Sequence, residues 1–242
     1  MMQVVEKIKA KQADLNASPA VTIAFLGDSV TQGCFEVYKT GPDTLQTVFD
    51  PTNSYPVRLR EKLALLYPQV QINIINSGIS GDNAPGGLER LERDILRYHP
   101  DLVIVSYGLN DSINGFDGIP AYNAALEGIF RGIRQSGAEC IFMTENMMNT
   151  HTSCRLQNQM LIRLSQEFAE IENGGILEAY FDTAKICASQ QGIQVCDCYS
   201  KWKYLAKAGV DTTELLANKL NHPCREIMDL FAVSLLEIIL GL

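Results

Sequence analysis

No stretch of this sequence stays apolar for long enough to cross a bilayer. The opening segment, MMQVVEKIKAKQADL, carries Glu6, Lys7 and Lys9 where a secretion signal needs its hydrophobic centre, so no cleaved leader is expected. Positive charge is in short supply: 20 Lys and Arg stand against 28 Asp and Glu, and a net charge of -8 repels phosphate backbones and anionic lipid surfaces. Nucleic-acid binding is therefore not expected. The seven cysteines are an odd number without a CxxC ladder, which fits reduced thiols and a cytoplasmic location. The three histidines have no nearby carboxylate cluster of metal-ligand spacing, so neither a metal nor another cofactor is expected. Repeats, low-complexity tracts and Pro/Gly/Ser-rich linkers are also missing, and 242 residues suit one domain spanning 1–242.

What remains is an alternation of two periodicities. Short apolar runs at Val21 to Leu26, Val70 to Ile75, Leu102 to Ser106, Cys140 to Thr144 and Ile193 to Cys196 read as buried strands. Between them, helical spacing covers Tyr55 to Leu66, Gly87 to Tyr98, Ala121 to Gln135, Arg155 to Ile171 and Leu177 to Gln190. Such βαβ alternation predicts an α/β fold with a mostly parallel, doubly wound sheet and right-handed crossovers. Val4, Val5 and Ile8 share one face of a leading amphipathic helix within 1–18, expected on the outside of the domain. Residues 34–53 read as a long irregular loop, and the apolar run from Phe231 to Leu242 is expected to bury within the domain. Cys196 and Cys198, two apart on a strand, would face the same side as packing residues.

In doubly wound sheets, ligands bind beyond the carboxyl ends of the strands. The first strand runs into Leu26-Gly-Asp-Ser-Val-Thr-Gln-Gly33, which places Ser29 where strand turns to helix. Asp and Ser before a helix usually only cap it. A serine at a helix start can also act as a nucleophile, because unpaired N–H groups there stabilise developing negative charge. The second strand is followed by Asn76-Ser-Gly-Ile-Ser-Gly-Asp82 and the third by Tyr107-Gly-Leu-Asn-Asp111. Each is unexceptional as a turn. Together they bring Gly81, a backbone donor, and Asn110, an amide donor, to the edge where an oxyanion would form.

Taken in order, these blocks resemble those of the GDSL/SGNH hydrolases, and the similarity extends to Tyr55-Pro56, to Gly87-Leu-Glu-Arg-Leu91 and to His99-Pro-Asp-Leu-Val-Ile-Val105. It resumes in Asn218-Lys-Leu-Asn-His-Pro-Cys224. The resemblance implies a flavodoxin-like three-layer α/β/α domain with a five-stranded, mostly parallel sheet. It further implies a cofactor-free serine ester hydrolase acting on small-molecule acyl esters through an acyl-enzyme. Ser29 is then the nucleophile, His222 its base, and Ser29, Gly81 and Asn110 the oxyanion donors. A small acyl group on a carbohydrate or lipid is the expected leaving piece.

Of the other imidazoles, His99 precedes a strand and belongs at the opposite edge, while His151 follows the fourth strand in a loop that can reach substrate. His222 stands before Pro223, which suits the first turn of the closing helix, and a helix N-terminus would lower its pKa and keep it a base. The family usually has an aspartate three residues before this histidine, where this chain has Lys219. Lys219 is expected to point outward. The acceptor that orients His222 is then Asn218 through its side-chain oxygen, or a carboxylate of Asp211 or Glu214, or a backbone carbonyl. Lys219 also sustains a rival reading as a non-catalytic binding module, and an acyltransferase on the same site is a second. Loops 34–53, 112–118 and 146–153 are expected to set the substrate. There Phe35, Tyr38, Phe49, Phe116, Met147 and Met148 either line a pocket or simply pack.

Overall fold

A computed structural model describes residues 2–41 and 44–242; Met1, in the expected leading helix, and Pro42 and Asp43, in the expected loop, lie outside the described residues. In chain order the elements are α1 (Gln3–Ala13), β1 (Val21–Gly27), α2 (Ser29–Gln32), β2 (Cys34–Gly41), β3 (Thr44–Phe49), α3 (Tyr55–Leu66), β4 (Ile72–Gly78), α4 (Ala84–Asp94), β5 (Leu102–Ser106), α5 (Ile119–Ser136), β6 (Glu139–Thr144), α6 (Gln159–Asn173), α7 (Ile176–Gln190), β7 (Gln194–Asp197), α8 (Cys198–Lys207) and α9 (Met228–Leu240). Five strands form one sheet in the order β4-β1-β5-β6-β7, and every pairing in it is parallel. The first strand is second from one edge and the order reverses at it, between β4 and β5, which is the doubly wound, flavodoxin-like arrangement.

The apolar strand runs alternate between two cores. Ile23, Phe25, Leu102, Ile104, Ile141 and Met143 face a layer built by α1, α3, α8 and α9. Ala24, Leu26, Val103, Val105, Cys140 and Phe142 face α4, α5 and α7. Strands covered on both faces have no polar side to show, which is why they read as unbroken hydrophobic runs. The register aligns the strand ends: Gly27 lies opposite Gly78 on one side and Ser106 on the other. The turns after β1, β4 and β5 therefore open at one edge.

Some expectations are corrected. Within the expected irregular stretch, Cys34–Gly41 and Thr44–Phe49 are strands: β2 and β3 pair antiparallel as a separate two-stranded sheet. The segment Thr44-Leu-Gln-Thr-Val-Phe49 is rich in β-branched and aromatic residues, which favour strands, but it shows no period-two alternation. Cys198 is not on a strand with Cys196; β7 ends at Asp197, whose side chain caps α8 by accepting the Ser200 N–H at 3.0 Å. The two sulfurs stand 3.8 Å apart in the core, and all seven cysteines are free. The strand β4 continues to Gly78 and not only to Ile75, since its pairing with β1 runs that far. The leading helix lies over the sheet edge with Val4, Val5 and Ile8 buried, its first turn capped by the Glu139 carboxylate at 2.8 and 2.6 Å. The closing helix buries Phe231, Ala232, Leu235 and Ile239 inside the same core.

Candidate active site

Close packing shapes the turn after β1. A Cβ on Gly27 would sit 2.2 Å from Thr31 Oγ1 and 2.9 Å from the Ser106 carbonyl oxygen, so no larger residue fits. Asp28 accepts the Val30 N–H at 2.9 Å, and α2 is a single turn closed by Gly33. Ser29 is buried, and its Oγ lies 3.0 Å from His222 Nε2. On the far side of the ring, Nδ1 is 2.9 Å from the carbonyl oxygen of Phe35 in β2. A carbonyl only accepts, so Nδ1 carries the proton and Nε2 offers its lone pair to the Ser29 hydroxyl.

Burial drives the His222 pKa down to about 4, opposed in part by the Phe35 carbonyl. This corrects the expected cause. Helix α9 begins only at Met228, while Pro223 forms a bridge with Leu216, so His222 does not sit at the N-terminus of the closing helix. Desolvation alone disfavours the imidazolium.

The structure does not bring Asn218 to the imidazole. Its Oδ1 accepts three backbone N–H groups, of Leu220, Asn221 and His222, at 2.9 to 3.0 Å. It shapes the turn that presents His222 and leaves the ring to Phe35. Lys219 does not point outward but across to Glu214, donating to its carbonyl oxygen at 2.7 Å and forming an ion pair with its carboxylate at 3.2 Å. Glu214 also holds Ser153 at 2.8 Å, and Asp211 lies 3.5 Å from His151. Neither carboxylate orients His222. The other partners of His151 are Thr150 and Thr213, while His99 sits before β5 at the opposite edge.

Gly81 adopts φ +81°, a region that L side chains rarely enter, with open space where a Cβ would stand. Its loop is tied to α2, because the neighbouring Ser80 N–H donates to Gln32 Oε1 at 2.7 Å. Asn110 Nδ2 donates to Asp28 Oδ2 at 3.0 Å and to the Asp82 carbonyl at 2.8 Å. Ser29, Gly81, Asn110 and His222 thus belong to loops linked directly to one another.

Residues 25–229 match the GDSL-like Lipase/Acylhydrolase family. The chain belongs to that family. It is 35% identical over 80 residues to an arylesterase of Vibrio mimicus, covering 33% of this chain and 40% of the relative. With an acetylxylan esterase of Geobacillus stearothermophilus it shares 30% over 95 residues, 39% of this chain and 42% of that one. The thioesterase 1/protease 1/lysophospholipase L1 of Escherichia coli K12 is 28% identical over 127 residues, 52% of each. The chain thus spans about half or less of the length of these curated relatives. In fold, it resembles the solved acetylxylan esterase Axe2 of Geobacillus stearothermophilus, with a TM-score of 0.66 at 20% identity over 90% of this chain and 94% of that one. A two-domain esterase active on acetylated mannans gives 0.65 at 20% identity, over 98% of this chain and 52% of its own.

Several residues of this GDSL-type site carried no assigned role in the sequence. Arg90 lies on the buried face of α4 and donates to the carbonyl oxygens of Gly27 at 2.9 Å and Ser77 at 2.6 Å, to Tyr107 Oη at 2.8 Å and to the Asp82 carboxylate at 2.7 Å. It clamps the ends of β1 and β4 to the segment after β5. Its signal was a charge on the apolar stripe Ala84, Gly87, Leu91. Glu145, just after β6, is fully buried and accepts the Leu109 N–H at 3.1 Å. Burial raises both the Asp28 and the Glu145 carboxyl, and the neighbouring Asp28 charge adds to the rise at Glu145, well above the usual carboxylate range. Asp28 is the acceptor for Asn110 and Val30. Among the apolar loop residues, Phe35, Met147 and Met148 are buried, whereas Tyr38, Phe49 and Phe116 are exposed. Among the described residues, no group of three or more His, Cys, Asp or Glu side chains is arranged to hold a metal, and no helix is long and apolar enough to cross a membrane.

Proposed function

We propose that this chain hydrolyses carboxylic esters through an acyl-enzyme on Ser29, with His222 as general base. The carrying observation is the buried relay from Ser29 Oγ to His222 Nε2 at 3.0 Å and from Nδ1 to the Phe35 carbonyl at 2.9 Å. His222 takes the hydroxyl proton, Ser29 attacks the ester carbonyl, and the alkoxide leaves with the proton that His222 returns. Water, deprotonated by the same ring, then releases the acid and restores Ser29. The oxyanion rests on the Ser29 and Gly81 N–H groups and on the Asn110 amide, whose protons in the free enzyme rest on Asp28 and Asp82. A proton can be shared between two acceptors, so Asn110 reaches the oxyanion without leaving its anchor.

In this reading the third position of the triad is a backbone carbonyl, which fixes the tautomer but brings no negative charge. The non-catalytic alternative rested on Lys219, and Lys219 is engaged with Glu214. As substrate we propose a small acyl group on a carbohydrate. The acetylxylan and acetylated-mannan esterases among the relatives support it, with lipid esters second. The same reading treats residues 1–242 as one domain. It places the chain in the cytoplasm, on the strength of its free thiols.

The test is turnover of p-nitrophenyl acetate and butyrate, beside labelling by a fluorophosphonate probe. Both are expected with the native chain and absent with Ser29→Ala. Equal turnover and labelling in the two proteins would remove Ser29 from the chemistry. Product analysis with an added alcohol acceptor separates hydrolysis from acyl transfer.

A further inference from the structure

The Phe35 carbonyl belongs to a hairpin that makes no ladder with the main sheet. Along β2, only Cys34 and Phe35 are fully buried, and β3 alternates between half-buried and exposed. A carbonyl that stands in for the carboxylate of a triad needs a fixed position, and the hairpin's own ladder cannot provide one relative to His222.

Arg225 supplies the missing attachment. Its Nη1 and Nη2 donate to the two oxygens of Glu36 at 2.6 and 3.1 Å, and its Nε donates to Asp50 at 2.8 Å. The guanidinium carbon lies 4.2 Å from the Phe35 ring centroid. One side chain therefore grips Phe35, the residue after it, and the residue that closes β3. Asp50 is in turn held by Thr52 at 2.6 Å and Asn53 at 2.9 Å, and its N–H donates to the Gly33 carbonyl at 2.8 Å, next to α2. Arg225 follows His222 by three residues, on the same segment. That segment thus meets the hairpin at two points, the imidazole and the guanidinium.

We propose that Arg225 is a positioning residue for catalysis: by clamping Glu36, Asp50 and the Phe35 ring, it holds the Phe35 carbonyl where it orients His222. The fork geometry and the stacked face are properties of guanidinium that an ammonium lacks. Its carboxylate partners are ionised, since Arg225 holds Glu36 below the usual carboxylate range and Asp50 down to about 2. The inference rests on His222 being the base, and its test separates the two.

Arg225→Ala, Arg225→Lys and Glu36→Gln are compared with the native chain and with His222→Ala, on p-nitrophenyl acetate. Loss of the clamp is expected to lower kcat by about ten- to a hundredfold, the scale of a small misplacement of a catalytic group. KM for this small ester stays within about twofold. Lysine is expected to recover little of the loss. Proton NMR supplies the second readout: the native protein should show a slowly exchanging downfield Nδ1–H of His222, assigned by its loss in His222→Ala, and Arg225→Ala should broaden or lose it. Should Arg225→Ala fail to fold, Glu36→Gln carries the same two readouts on a milder change. If His222→Ala is inactive while the clamp variants keep native kcat and the downfield proton, Arg225 is a surface staple and the inference is overturned. Full activity in His222→Ala would instead overturn the assignment of the base itself.

Discussion

At the scale of single residues, His222 sets the pH behaviour. An imidazole pushed down to about 4 by burial stays neutral, and so basic, well below the 6.5 of a solvated ring. The acid limb of the kcat/KM profile is therefore expected near pH 4; a limb near 6.5 would mean that the base is not a buried His222 ring. Asn110→Ala should lower kcat on the order of a hundredfold if the amide serves the oxyanion. A loss of only two- or threefold would assign it to anchoring the loop through Asp28 and Asp82. Asn218 offers a different contrast. Its oxygen satisfies three N–H groups in a buried turn, so Asn218→Ala should cost about 3 kcal/mol. In a chain of this size that is roughly 10 °C in thermal midpoint. Asn218→Asp keeps the acceptor but loses the amide donor to Asn221 Oδ1 at 3.0 Å, so it should recover only part of the stability that Asn218→Ala loses. Equal thermal midpoints for native and Ala proteins would show that water replaces the side chain.

Among elements, the strand ends are the units that matter. Gly27, Gly78 and Ser106 stand in register, and the functional loops leave from there. Arg90 ties these ends together from the buried face of α4, with carbonyl, hydroxyl and carboxylate partners. Removing Arg90 leaves the Asp82 carboxylate without its cation and with only the Tyr107 O–H at 3.0 Å, so Arg90→Met should destabilise by about 3 kcal/mol. Urea unfolding measures it, and a change below about 1 kcal/mol would mean that Asp82 is neutralised by other means. The five strands and the helices between them were legible, with boundaries off by a few residues, because doubly covered strands are apolar throughout. The pair β2–β3 was not, since Gly41, the charges Glu36 and Lys39, and half-exposed strands without period-two alternation resemble a loop. Helix α8 was hidden by the brevity of β7, whose last residue is already the cap.

For the molecule as a whole, buried carboxyls oppose the usual acid sensitivity. Asp111 and Glu172 are raised to about 7 by burial, and Asp28 and Glu145 are raised as well. A carboxyl raised by folding holds its proton longer in the native than in the unfolded chain, so between about pH 4 and 7 each of these groups lowers stability as pH climbs. His222 has the opposite sign, because the unfolded ring binds a proton near 6.5 and the native ring only near 4. Several carboxyls outweigh one imidazole. The thermal midpoint is expected to peak near pH 5 and to fall towards pH 8, read by differential scanning fluorimetry across buffers. A midpoint that rises steadily to pH 8 would mean that these carboxyls ionise within the fold.

The amino-acid sequence by itself determined the α/β class, the parallel sheet, the family, and the identities of Ser29, Gly81, Asn110 and His222 as residues to watch. These depend on periodicity and on short blocks, both of which are local along the chain. Only the tertiary structure decided what His222 leans on. Asn218, Asp211, Glu214 and a backbone carbonyl were equivalent candidates in one dimension, because each can accept an imidazole N–H. Folding gave Asn218 to the turn and Lys219 to Glu214, and it carried the hairpin across to the ring. The Phe35 carbonyl has no sequence signature, since every residue has one. Its selection comes from the spacing of elements far apart in the chain, and the same holds for the raised Glu145 carboxyl, which only folding buries near Asp28.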